Sequence, residues 1–276
     1  MSIFDRMSSG WKITMTSMKV LKANKQLLTF PVLSGLTLLV IAAAFFVPMW
    51  SGYQSMLEKI VDKDGTMYLV MFGGYVVGYF VIVFFNMALM HCTRLYFNGE
   101  EATVAKGLQF SMSRIWVILQ WALFAGTIGT ILKIIQDNAG WLGKIIIGLI
   151  GFAWSIGTFF VVPILAYEQT GPADAVKRSV QLMKEKWGER IGASFSFGLI
   201  NLLLFGIFGI TGLAVSALIH EGAGIAIFLL GLPVMFIVNS ALNSIFISAV
   251  YHNISTDIET HFSRQMLDGL FEEKQK

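Results

Sequence analysis

The sequence predicts an all-α integral membrane protein with six transmembrane helices, and three observations predict it. Six apolar stretches free of Asp, Glu, Lys and Arg occupy 27–50, 67–93, 115–132, 145–167, 191–219 and 222–252 of the 276 residues. Each meets or approaches the roughly 20 apolar residues that cross a bilayer. In hydrocarbon each Leu, Ile, Phe or Val gains about 0.3–0.6 kcal/mol, whereas a central charge costs about 3 kcal/mol. Composition agrees: 55% of residues are hydrophobic and 13% charged, against about 25% charged in soluble domains. Finally, the charges sort by side. Sixteen of the 20 Lys and Arg lie in the N-terminal arm, after the second and fourth stretches, or in the tail; Lys59, Lys63, Lys133 and Lys144 make up the rest. The positive-inside rule puts the richer side in the cytoplasm, so both termini are expected there. The segments between spans are too short for a separate soluble core, which makes 1–276 a single membrane domain.

The elements follow in order. The arm 1–26 carries Arg6, Lys12, Lys19, Lys22 and Lys25, with Met7, Trp11 and Met18 at helical spacing. It reads as an amphipathic helix lying on the membrane; the first apolar run is too long for the core of a cleavable signal peptide. Spans one and two follow, joined by an outer loop at 51–66. A second basic segment, 103–115, reads TVAKGLQFSMSRI and leads into span three. The charged stretch 133–144 is expected to be the next outer loop. Span four leads to the turn at Glu168–Gly171 and a third basic segment, AVKRSVQLMKEKW at 175–187. Pro172 suits its first helical position and Gly188 its stop. Glu221 marks a very short turn between spans five and six. In the tail 253–276, Phe262, Met266, Leu270 and Phe271 are spaced for a short docked helix.

The basic segments look alike. At an offset of 72 residues, Val104/Val176, Lys106/Arg178, Gly107/Ser179, Leu108/Val180, Gln109/Gln181 and Phe110/Leu182 correspond. One reading is three parallel copies of a unit, each an amphipathic helix followed by a two-span hairpin. The other is chance recurrence of basic amphipathic segments at membrane boundaries. On either reading Val104, Leu108 and Ile115, or Val176, Val180 and Trp187, form the apolar face. The opposite faces carry Lys106, Lys177, Arg178 and Lys184 and, in the arm, Arg6 and Lys12: candidate contacts for anionic lipid or a partner.

Several stretches carry a resemblance: SIFDRMSSGW (2–11), VLKANKQLLTFPVLSG (20–35), FAWSIGTFFVVPILAYEQTGPADAVKRSV (152–180), LMKEKWGE (182–189) and HFSRQMLDGLF (261–271). Through them the chain resembles an uncharacterised family of six-span bacterial membrane proteins. That family is related in pattern to the membrane domain attached to some glycerophosphodiester phosphodiesterases. The resemblance implies the six-helix fold and a bacterial inner-membrane location. It implies no hydrolase activity, because the catalytic barrel is not within these residues. Met18 departs from the pattern, where Trp is expected; Met fills the same apolar slot.

Chemistry is sparse. No acid or strong base lies inside a span, where an ionisable group would mark function. His91, His220, His252 and His261 are scattered without metal-ligand spacing, and Cys92, the only cysteine, cannot form an internal disulfide. Neighbouring His91 and Cys92 point about 100° apart on a helix, so Cys92 reads as a packing residue. Span six carries the one continuous polar stripe, Asn239, Ser240, Asn243, Ser244 and Ser248. It either hydrogen-bonds between helices or lines a polar conduit. Gly74/Gly78, Ala122/Gly126, Ala153/Gly157 and Gly212/Ser216 are small-xxx-small pairs for close helix approach. Pro233, well inside span six, is expected to kink it or leave a carbonyl unpaired. Pro163 is expected to shape the exit from span four.

These features favour a non-enzymatic scaffold over a transporter or channel for a neutral or lipid-like solute, and over an enzyme. The expected partners are membrane lipids and either a second copy or another membrane protein. No cofactor, metal or nucleic-acid partner is expected.

Overall fold

A bilayer offers the backbone no hydrogen-bond partner, and the chain satisfies its own: outside short turns, the described residues are helical. The computed structural model describes residues 15–50, 66–187, 196–218 and 220–256, with side chains over 15–44, 66–184, 205–218 and 220–252. Arg6, Lys12, Met7, Trp11, most of the loop 51–66, Gly188 and the tail helix lie outside the described residues. Helical residues 15–23 and a 3-10 turn at Lys25–Leu28 lead into α1 (Thr29–Trp50). There follow α2 (Thr66–Phe97), α3 (Val104–Ser113), α4 (Ile115–Asn138), α5 (Trp141–Gly157), α6 (Val161–Tyr167), α7 (Pro172–Trp187), α8 (Ser196–Leu218) and α9 (Glu221–Thr256).

Among the described residues, five stretches are long and apolar enough to cross a membrane: Lys25–Ala44, Thr66–Phe97, Ile115–Asn138, Trp141–Tyr167 and Glu221–His252. Within α8, Phe205–Leu218 is a shorter apolar helix. The protein is an all-α, multi-pass membrane protein.

Helix ends follow local chemistry. Helix α2 runs past the expected 67–93 and stops at Asn98–Gly99. Gly99 adopts φ 75°, a left-handed conformation that suits glycine. Its amide donates to the Tyr96 carbonyl at 3.1 Å and the next amide, Glu100, donates to the Leu95 carbonyl at 2.9 Å. This is the Schellman stop, which satisfies two of the carbonyls orphaned at a helix end.

The expected loop 133–144 is instead mostly helix. Helix α4 continues through Lys133 and Asp137, α5 begins at Trp141, and only Ala139 and Gly140 connect them. The charges read as loop are paired along one helix face, Lys133 Nζ to Asp137 Oδ1 at 2.6 Å. The α8–α9 connection is equally brief, and His220 has a capping role there: its Nδ1 accepts the Gly222 amide at 3.0 Å.

Proline acts differently in two spans. Span four breaks into α5 and α6 at Thr158–Phe160, upstream of Pro163 rather than at the exit where it was expected to act. Pro163 has no N–H for the Phe159 carbonyl. Backbone bonding tightens to three-residue steps, Phe159 N to Ile156 O at 3.2 Å and Val161 N to Thr158 O at 3.1 Å. The Thr158 hydroxyl also donates back to the Trp154 carbonyl at 2.8 Å, an interaction that bends helices. Pro233, by contrast, lies within the uninterrupted α9.

Two compact units emerge. The first comprises the described parts of Met1–Val32, Cys92–Val104 and Lys186–Lys276; the second comprises those of Leu33–His91 and Ala105–Glu185. In the first, α8 packs antiparallel on α9, with Gly212 and Ser216 against Gly224, and Phe208 against Gly231. The 3-10 turn also contacts α9. The last third of α9 is buried on all sides, Ser244 through His252, whereas most of 225–236 is exposed. In the second unit α4 packs between α2 and α5. Gly126 lies against Val76, Gly129 faces the Tyr75 ring, and Trp121 and Trp154 stack with centroids 6.1 Å apart. Its buried residues gather where the C-terminal half of α2, the first half of α4 and α6 meet α3 and α7.

Candidate functional site

Two regions hold the sequence-predicted site residues. In the first unit, α9 carries the polar stripe. Asn239, Ser240 and Asn243 are half-buried, while Ser244 and Ser248 are buried. One more step of four residues reaches His252, also buried, whose ring stacks on Phe97 with centroids 6.1 Å apart. In the sequence His252 stands among scattered histidines; the four-residue step from Ser248 is the signal that it continues the stripe. At the other end, the carboxamide oxygen of Asn239 is buried without a hydrogen-bond partner. A buried acceptor left unmade costs about 1–3 kcal/mol, so it calls for an explanation.

In the second unit, α3 and α7 form the amphipathic layer. Helix α7 buries Ala175, Ser179, Leu182 and Met183, one face at steps of four, three and one. Helix α3 buries Gly107 and Ser111, the positions equivalent to Ser179 and Met183 at the offset of 72. The inward face is therefore rotated from the one expected: Val104, Leu108, Val176 and Val180 are only half-buried. Gly107, Ser111, Ala175 and Ser179 are small, which lets these helices press closely on the spans, while Leu182 and Met183 supply the apolar part of the α7 contact.

Serines lock both helices down. Ser111 Oγ donates to the Phe84 carbonyl of α2 at 2.8 Å. The Phe160 amide, at the break of span four, donates to Ser179 Oγ at 3.0 Å. Gly157 permits this docking, since a Cβ there would lie 3.3 Å from Val180 Cγ2. Phe110 of α3 stacks flat on His91 at 3.9 Å between centroids and meets Tyr167 at 5.7 Å, with the Arg114 guanidinium 5.9 Å from its ring centre.

The opposite faces carry the predicted cations. Lys106, Lys177 and Lys184 are exposed and Arg178 is half-buried. Lys177 pairs with Asp174 at 3.0 Å and Arg178 with Glu168 at 3.5 Å. Such exposed pairs contribute roughly 0–1 kcal/mol and leave the side chains available to a stronger anion. Trp116, in the first turn of α4, and Trp141, at the start of α5 just beyond the far end of α4, are 74% and 72% exposed. The α4 axis from Trp116 to Asn138 measures about 33 Å at 1.5 Å per residue, so these rings suit opposite membrane–water interfaces.

The remaining candidates resolve locally. Cys92 is buried and its thiol donates to the Thr103 carbonyl at 3.2 Å. Among the described residues no three of His, Cys, Asp and Glu gather as a metal ion would require. Of the small-residue pairs, Ala122/Gly126 and Gly212/Ser216 pack closely, whereas nothing lies within 4 Å of a Cβ built at Gly74 or Gly78.

The profile of a family described as "Family of unknown function (DUF6159)" matches residues 65–261, from the start of α2 past the end of α9. None of the curated proteins compared with the chain matches it.

Proposed function

We propose, from the premise that this chain belongs to the DUF6159 family of unknown function and takes no activity from it, that the protein is a non-enzymatic membrane scaffold. In this reading it has six spans, α8 being the fifth, and sits in a bacterial inner membrane with both termini in the cytoplasm. Its amphipathic helices α3 and α7 hold the anionic headgroups of the inner leaflet. One observation carries the reading: each helix has one buried face, Gly107 and Ser111 on α3 and Ala175, Ser179, Leu182 and Met183 on α7, with Lys106, Lys177 and Lys184 exposed. Basic helices at an anionic leaflet gain roughly 1 kcal/mol per cation near the surface, on top of their apolar burial. The resemblance in pattern to the membrane domain of some glycerophosphodiester phosphodiesterases fits, in this reading, a membrane part that carries no chemistry of its own.

Native mass spectrometry of the full-length protein extracted with its own lipids tests this. Anionic phospholipid should be retained and should fall away when Lys106, Lys177 and Lys184 are changed together to Glu. Equal retention by both proteins would remove the lipid-holding role. A reporter fused after Lys276 checks the orientation; activity only outside the cytoplasm would reverse it.

A second reading, a transporter or channel for a neutral or lipid-like solute, is favoured by the unpartnered Asn239 oxygen in the α9 stripe. A conduit needs such a group, and an interhelical contact does not. Solute flux into proteoliposomes that Asn239→Leu abolishes without unfolding would decide for it.

A further inference from the structure

We propose that α7 is a lever and the Ser179 hydroxyl its latch, through which the charge of the membrane surface sets the bend in span four. The proposal rests on the reading that α7 lies against anionic headgroups. It adds what that contact does.

Three observations connect the surface to the span. Pro163 and the back-bonding Thr158 break the helix at Thr158–Phe160, and the Phe160 amide turns to Ser179 Oγ at 3.0 Å, with both residues fully buried. Helix α7 sits on this break with Val180 against Gly157, where even a methyl group would be 3.3 Å away. A shift of α7 along or off the span must therefore change the Phe160 bond. The far side of α7 exposes Lys177 and Lys184, while Arg178 ties it to Glu168 beyond α6 at 3.5 Å.

The Phe160 amide has two acceptors within reach of small motions. One is Ser179 Oγ. The other is the Ile156 carbonyl, one regular helical step back, which in the bent state accepts from Phe159 at 3.2 Å. A buried amide must keep an acceptor, so the arrangement has two discrete states: bent and latched, or straighter with α7 released. Anionic headgroups attract Lys177 and Lys184 on the side of α7 away from the span, draw α7 off the span and favour release of the latch. A neutral surface removes that pull. A ligand shifts such an equilibrium only by its differential affinity for the two states, and here the surface charge provides the difference.

The test uses full-length protein in nanodiscs of phosphatidylcholine alone and of phosphatidylcholine with phosphatidylglycerol, followed by amide hydrogen exchange. Exchange over 158–161 should quicken by about tenfold in the anionic discs, the worth of one buried hydrogen bond. Ser179→Ala should exchange fast and equally in both discs, whereas Ser179→Thr, which keeps the hydroxyl, should retain the difference. If Ser179→Ala does not fold, Lys177→Gln with Lys184→Gln leaves the latch chemistry intact and should abolish the lipid dependence. Wild-type exchange that ignores lipid charge while anionic lipid is still retained by mass spectrometry would overturn the lever alone. Failure to retain anionic lipid would overturn the reading beneath it.

Discussion

Replacing Gly224 by alanine should split the α8–α9 hairpin at its tightest point. A methyl group there would overlap the Gly212 carbonyl oxygen and lie 2.6 Å from Ser216 Cβ and 2.7 Å from Ser216 N. Carbon atoms pack at about 3.5–4.0 Å, so the helices must separate by roughly 1 Å, and a gap of that size forfeits a quarter to a half of each dispersion contact. Two of the three obstacles are backbone atoms, which no rotamer change relieves. If about forty atom pairs are affected, the number one buried leucine makes, the loss is about 1.5–3 kcal/mol, within the range for overpacked cores. At about 2–4 °C per kcal/mol the midpoint should fall by about 3–12 °C. Thermal unfolding of a fluorescent fusion in detergent, read by size exclusion, would measure it. Gly74→Ala is the control, because nothing lies within 4 Å of its added methyl. It should be neutral or up to about 1 kcal/mol more stable, since alanine is the better helix former. If Gly224→Ala melted with the wild type, or both variants fell together, the packing argument would be refuted.

Other outcomes follow from the same geometry. Asn239→Leu removes a buried oxygen that has no partner, so under the scaffold reading it should leave stability unchanged or raise it by about 1–3 kcal/mol; a loss of that size would show that the group is bound in the native protein. Variants keeping only Trp116 or only Trp141 should be quenched by headgroup-level labels and little by brominated chain ends, and deep quenching of either would displace α4 from its assigned depth. Gly126→Ala, whose methyl would lie 2.8 Å from Val76 Cγ2, should cost about 1–3 kcal/mol by overpacking α4 on α2, read by the same melting assay.

Much of the fold was legible because lipid punishes charge so heavily that spans betray themselves. Pro172 correctly marked the start of α7 for an equally local reason, a missing N–H where none is needed. The misreadings share a cause: each depended on what lies across space or one turn away. Lys133 and Asp137 look like loop residues until they are seen to neutralise one another along a helix. Pro163 was visible, but its effect appears upstream, at the carbonyl it fails to satisfy. On α3 and α7 large apolar residues drew the eye, whereas Gly107 and Ser179 are what the close approach selects. His252 was one helical turn beyond a stripe already traced. Its burial depends on partners in α2, far away in sequence, which no local pattern announces.

The contact between the 3-10 turn at Lys25–Leu28 and α9 bears on how the protein is made. One partner leaves the ribosome long before the other, because the whole of α1 to α8 lies between them. At about 5–20 residues per second, the interval is roughly 10–40 s. During it the turn that carries Leu27, buried in the finished protein, lacks the helix it meets there. The unit closes only when α9 arrives, so the turn at Lys25–Leu28 takes its final place after the helices between the two have been made.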